Sequence, residues 1–107
     1  MKTYIPVLIA ALALTMSFST LSVAADTGAD LFKAKCAMCH GPDGKGDTAM
    51  GKNLKLRDLG SAEVQGQSDA DLNGTITNGK GKMPKYEGKL TKEQITELVK
   101  FVRSLKK

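Results

Sequence analysis

The chain is short of the residues that usually hold metals and fill cores. It has one histidine, His40, and two cysteines, Cys36 and Cys39. Tryptophan is absent, and the aromatics are three phenylalanines and two tyrosines. A closed structural zinc site takes four ligands, and only these three thiol and imidazole side chains exist. A nucleic-acid surface combines a dense basic stripe with stacking aromatics. Here 16 Lys and Arg stand against 11 Asp and Glu, a net charge of +5, and no such stripe forms. No segment alternates apolar and polar residues as a half-buried strand does. The longest apolar run, Ile5 to Leu14, falls short of the about 20 residues that cross a bilayer.

What is present is concentrated. Cys36-Ala37-Met38-Cys39-His40 holds both cysteines and the histidine. C-x-x-C-H is the pattern of covalent c-type haem attachment. The two thiols can each form a thioether to a haem vinyl group, and the next residue, His40, is then held under the iron. Other readings use less of the pattern. A thioredoxin-like redox pair needs a βαβ setting, and the Gly- and Lys-rich stretch after His40 offers no strand. A plain disulfide explains the cysteines and leaves His40 a coincidence.

Met1-Lys2, the apolar run and the small residues ending Val23-Ala24-Ala25 form the pattern of a secretory signal peptide, residues 1–25. An uncleaved N-terminal anchor is the alternative. Cleavage after Ala25 leaves 82 of the 107 residues, 26–107, as one small domain. Such a domain buries a modest core and often needs a staple or a cofactor. A porphyrin would supply a large apolar body to pack around, which would explain how so few aromatics, Phe32, Tyr86 and Phe101, suffice. Loss of Lys2 lowers the net charge to +4, a balance suited to docking on acidic partners.

Along the domain, Thr27-Gly28-Ala29-Asp30 reads as a capping box, and the helix it opens runs to Cys36. From His40 to about Leu59 the chain is expected to be irregular, because Gly41-Pro42-Asp43-Gly44 is turn chemistry. Leu54, Leu56 and Leu59 are candidates for packing, and a carbonyl between Met50 and Leu56 is expected to accept the second ring N–H of His40. Ser61-Ala62-Glu63-Val64 suggests one helical turn. Ser68 and Asp71 cap a helix carrying Leu72 and Ile76, which Gly79 ends. Thr91 to Gln94 caps the last helix, where Ile95, Leu98, Val99, Val102 and Leu105 recur at spacings of three and four. The fold class is all-α.

One histidine leaves a second axial position to assign. Met1 and Met16 lie in the leader, Met38 lies within the attachment motif, and Met50 follows His40 by only ten residues. Met83, before Pro84 and 43 residues past His40, is placed to cross the opposite haem face. Its thioether suits haem iron and would favour electron transfer. The competing reading is an ordinary core methionine.

In these features the chain resembles a small class I cytochrome c, similar to soluble monohaem c551-, c553- and c6-type proteins and to the haem domains of cbb3-type oxidase subunits. The resemblance implies three to five helices around one covalent haem c. It implies Cys36 and Cys39 as attachment points, with His40 and Met83 as iron ligands. It further implies that the terminal helices cross at Gly28, Phe32 and Phe101. Many members carry a proline whose carbonyl bonds the histidine ring; this chain has Lys52-Asn53-Leu54 there, with Asn53 in that place. The function implied is a monomeric periplasmic one-electron carrier, not an enzyme and not membrane-inserted after leader removal. Its expected partners are acidic redox proteins such as a terminal oxidase or another respiratory complex. Lys80, Lys82, Lys85 and Lys89 are expected to form the docking rim, with a plain solvated loop as the other reading. A peroxidase-like enzyme or gas sensor would need an open sixth position, and a bound oxidase subunit would keep the same chemistry.

Overall fold

The computed structural model describes residues 27–107; the expected leader lies outside the described residues. Six helices follow in order: α1 (Gly28–Lys35), α2 (Ala37–His40), α3 (Ala49–Asn53), α4 (Ala62–Gln65), α5 (Asp69–Asn78) and α6 (Lys92–Ser104). The resemblance implied three to five. The higher count arises because α2, α3 and α4 are single turns of four or five residues. Among the described residues, extended pairing is confined to two isolated bridges, Lys80 with Met83 and Glu87 with Leu90.

Five of the six helices begin at a hydroxyl. Thr27, Thr48, Ser61, Ser68 and Thr91 each accept a first-turn backbone N–H, which pairs one of the donors a helix start leaves free. The boxes at Ser68/Asp71 and Thr91/Gln94 are reciprocal, as expected. At α1 the Thr27 hydroxyl instead donates to the Asp30 carboxylate at 2.9 Å.

Leu31 and Phe32 of α1, Val64 of α4, Leu72 and Ile76 of α5, and Ile95, Leu98, Val99 and Val102 of α6 form one buried cluster. The α6 members are the predicted apolar face without Leu105, which caps the helix and is half-buried. α1 crosses α6 closely because Gly28 has no side chain: a Cβ there would lie 2.2 Å from the Glu97 carbonyl oxygen. One turn on, the Phe32 and Phe101 rings meet at 4.7 Å between centroids, tilted by 40°, within the separation that aromatic pairs favour.

Arg103 then fastens the middle of the chain to α6. Its guanidinium donates to the Asp69 carboxylate and to the Gln65 carbonyl, both at 2.8 Å, and to the Gln67 carbonyl. The Gln65 amide donates to the carbonyls of Leu59 and Val102, each at 2.8 Å. Arg103, in the last turn of α6, thus clasps the turn between α4 and α5.

Gly28→Ala is expected to destabilise the protein by about 1–3 kcal/mol, because the inserted methyl meets backbone that cannot rotate away. The helix-propensity gain of a Gly-to-Ala change, at most ~1 kcal/mol, is smaller. Denaturant unfolding followed by circular dichroism reads the difference.

Candidate functional site

α1 delivers the first cysteine. Its last turn closes through the Cys36 N–H on the Phe32 carbonyl at 2.8 Å, and Cys36 then starts α2. The His40 N–H returns to the Cys36 carbonyl at 3.0 Å, so the C-x-x-C-H segment is a compact helical turn. Gly41, at φ 79°, reverses the chain beneath it, and the Gly46 N–H reaches the His40 carbonyl at 2.7 Å.

α3 was not expected in this irregular stretch, and it holds the motif in place. The Thr48 hydroxyl accepts the Gly51 N–H at 2.8 Å and donates to the Cys39 carbonyl at 2.7 Å. Gly51 lets the two turns touch: a Cβ there would lie 2.5 Å from the Cys39 oxygen and 2.4 Å from the Gly46 oxygen. The signal was present in sequence as a threonine ahead of Ala49 and Met50, but the surrounding glycines masked it.

His40 is half-buried, its ring 6.2 Å from that of Phe32. Its Nδ1 is buried and has no partner among the described residues. No carbonyl between Met50 and Leu56, that of Asn53 included, bonds it as expected. That stretch spends carbonyls on itself: Met50 accepts from Leu54, Gly51 from Leu56 and Lys52 from Lys55. Burial lowers the histidine pKa and so favours the neutral imidazole, the form that binds metals. Burial, and next the neighbouring Cys39, push the Cys36 thiol up to about 11. The two sulfurs are unbridged.

The loop after α5 supplies another part of the cleft wall. Gly79, at φ 75°, turns the chain so tightly that a Cβ would lie 2.6 Å from the Met83 carbonyl oxygen. The Lys80 N–H donates to the Met83 carbonyl at 3.2 Å and the Met83 N–H to that of Lys80 at 2.9 Å. The Tyr86 and Glu87 N–H groups donate to the last-turn carbonyls of Ile76 and Thr77 on α5. Met38 and Met50 are 80% and 45% exposed, whereas Met83 packs against the core.

Between the walls lies a cleft of about 490 Å³, lined by Cys36, Cys39, His40, Leu54, Leu56 and Met83 among others. A second cavity of about 300 Å³ adds Leu59 and Leu72, and a third of about 90 Å³ reaches Phe32, Ile76 and Leu98. His40 and Met83 line all three. The first, at about 490 Å³, falls within the roughly 300–1,000 Å³ typical of cofactor sites. Lys55 adopts φ 55°, the one described non-glycine residue at positive φ, and with it Leu54, Lys55 and Leu56 all line the same cleft. An extended strand would send the middle residue to the opposite face.

Among the described residues no three His, Cys, Asp or Glu side chains converge on a bare metal ion. An apolar cleft with two thiols, a neutral imidazole and a thioether on its walls fits a haem instead. Of the four lysines expected at the rim, Lys80 and Lys82 line the cleft, and Lys89 lies 5.9 Å over the ring of Tyr86, itself a lining residue. Lys85 is exposed.

Residues 23–102 match the family model described as cytochrome c oxidase, cbb3-type, subunit III. The chain is also 40% identical over 91 residues to cytochrome c6 of Nostoc sp. strain PCC 7120, covering 82% of this chain and 78% of that protein. The chain belongs to the small class I c-type cytochromes. It is accordingly an electron-transfer protein rather than an enzyme. The cytochrome is 39% identical over 84 residues to the cbb3-type cytochrome c oxidase subunit FixP of Azorhizobium caulinodans, and there it spans only 27% of the relative's length. Its fold superposes on the KustC0563 c-type cytochrome with a TM-score of 0.70 at 36% identity, over 76% of this chain and 99% of that one. The cytochrome c6C of Synechococcus sp. PCC 7002 gives 0.55 at 36% identity, over 72% and 90%.

Thr48→Val keeps the β-branched shape and removes the hydroxyl, leaving the Cys39 carbonyl and the Gly51 N–H unpaired. A loss of about 1–3 kcal/mol in unfolding free energy is expected, read by denaturant titration of the haem-loaded cytochrome.

Proposed function

We propose that this cytochrome carries one haem c, joined covalently to Cys36 and Cys39, with His40 and Met83 as axial ligands. In this reading it is a periplasmic, monomeric one-electron carrier released by removal of residues 1–25. The observation that supports the reading is that His40 and Met83, far apart in sequence, both line the same three cavities. When bound, haem supplies an iron that alternates between ferrous and ferric states. The chain's own work is to fix two ligands, exclude water and leave an edge for electron exit. Leu54, Leu56, Leu59 and Leu72 supply the apolar lining that keeps the site dry. A methionine on the second face raises the potential and closes the position that an enzyme or a gas sensor would leave open.

Export agrees with the leader pattern of residues 1–25. No helix among the described residues is long and apolar enough to cross a membrane. Lys80 and Lys82 at the cleft mouth, with Lys85 and Lys89 nearby in sequence, give a positive rim that suits an acidic redox partner. The relatives that are cbb3-type oxidase subunits make a terminal oxidase a natural partner class.

The visible spectrum of the haem-loaded protein tests the ligand set. The oxidised form is expected to show the far-red sulfur-to-iron band, absent in Met83→Ala, and the reduced form to be unmoved by carbon monoxide. A high-spin spectrum that shifts readily with carbon monoxide would instead mean an open sixth position. Separately, reversing charge in Lys82→Glu/Lys85→Glu is expected to slow electron delivery to an acidic partner at low salt, with the gap closing as salt rises. Stopped-flow oxidation at two ionic strengths checks this, and equal rates would remove the docking role.

A further inference from the structure

Loop 79–90 carries Met83 and rests on the core through Met83, Tyr86 and Leu90, yet few hydrogen bonds tie it to the body of the protein. Gly79, Gly81 and Gly88 all adopt positive φ, and residues 80–82, 84 and 85 are exposed. The loop's two backbone bonds to α5, from Tyr86 and Glu87, anchor it to the helix it has just left. One bond reaches elsewhere. The Tyr86 hydroxyl donates to the Lys35 carbonyl at 3.0 Å, across 51 positions of sequence.

Its acceptor is significant. Lys35 is the last residue of α1 and immediately precedes Cys36. A helix C-terminus leaves carbonyls unpaired and partially negative. The Cys39 N–H, four residues on from Lys35, turns to Cys36 at 3.2 Å, so the Lys35 carbonyl is left for the phenol. Tyr86 and Lys35 also both line the 490 Å³ cleft. The bond therefore joins two lining residues of that cleft, one next to Cys36 in sequence and one on the loop that bears Met83.

Resting on the ligand set proposed above, we propose that the Tyr86 hydroxyl is a positioning latch. By bonding the Lys35 carbonyl it holds the Met83 loop closed over the haem and limits displacement of the Met83 sulfur. It touches neither iron nor sulfur itself and acts through the loop. An added ligand binds only when the loop has swung out, so its apparent affinity scales with the open fraction. Losing one hydrogen bond of ordinary net strength raises that fraction roughly three- to tenfold.

The test is imidazole titration of the oxidised, haem-loaded protein, in wild type, Tyr86→Phe and Gln65→Ala. Phenylalanine keeps the ring and removes the latch. Gln65→Ala breaks the ties from α4 to the Leu59 and Val102 carbonyls, and so weakens the fold away from the loop. The expected result is imidazole affinity raised roughly three- to tenfold in Tyr86→Phe, with the wild-type value retained in Gln65→Ala despite its lower thermal midpoint. Unchanged or reduced affinity in Tyr86→Phe overturns the latch, and so does an equal rise in Gln65→Ala, which would show general loosening. If the wild type itself lacks the sulfur-to-iron band, the ligand set fails first and the latch falls with it.

Discussion

The crossing of α1 and α6 at Gly28 sets the position of everything that matters to the site. Bare backbone at Gly28 lets α1 lie against the Glu97 carbonyl, and Phe32 then stacks on Phe101. With α1 so placed, its last turn presents Cys36 at the edge of the core. The same α6 carries Arg103, whose guanidinium fixes the start of α5 through Asp69, Gln65 and Gln67. α5 in turn ends at Gly79 and hands the chain to the Met83 loop. The two walls of the cleft are 43 residues apart in sequence, and both are referenced to one helix pair.

The walls differ in construction, and the difference suits a carrier. The wall bearing His40 is stitched by short-range bonds, by the Thr48 hydroxyl and by the close contact at Gly51. The wall bearing Met83 is a glycine-punctuated loop with few ties to the body. A site with one rigid and one looser wall can be loaded and then closed. Its closed state depends on a small number of contacts, and segments of this kind open at the low end of the stability range.

Much of this was legible in the sequence because it is local. The hydroxyls at Ser68 and Thr91, the spacing of Ile95 to Val102, and the Cys36–His40 motif all lie within single elements, and the fold class follows from them. α3 was not legible, since five residues among glycines leave almost no periodic signal. The acceptor expected for His40 between Met50 and Leu56 does not bond the ring; the carbonyls of Met50, Gly51 and Lys52 instead accept from Leu54, Leu56 and Lys55 within the same stretch. The Arg103 clasp and the Tyr86 bond to Lys35 were also out of reach. Each pairs groups more than 30 positions apart, a distance at which residue identity says nothing about contact. Lys55 gave no warning either, since an ordinary lysine carries no mark of the positive φ it adopts.

The central claim is that Met83, and no other methionine, faces the iron from the wall opposite His40. Methyl NMR of the reduced, haem-loaded protein with labelled methionine methyls tests it most directly, because a methyl held over a porphyrin is displaced far upfield by the ring current. The account predicts one strongly upfield-shifted methyl, missing in Met83→Leu, with those of Met38 and Met50 near their ordinary positions. A spectrum with no shifted methyl, or a shifted methyl that persists in Met83→Leu, would contradict it.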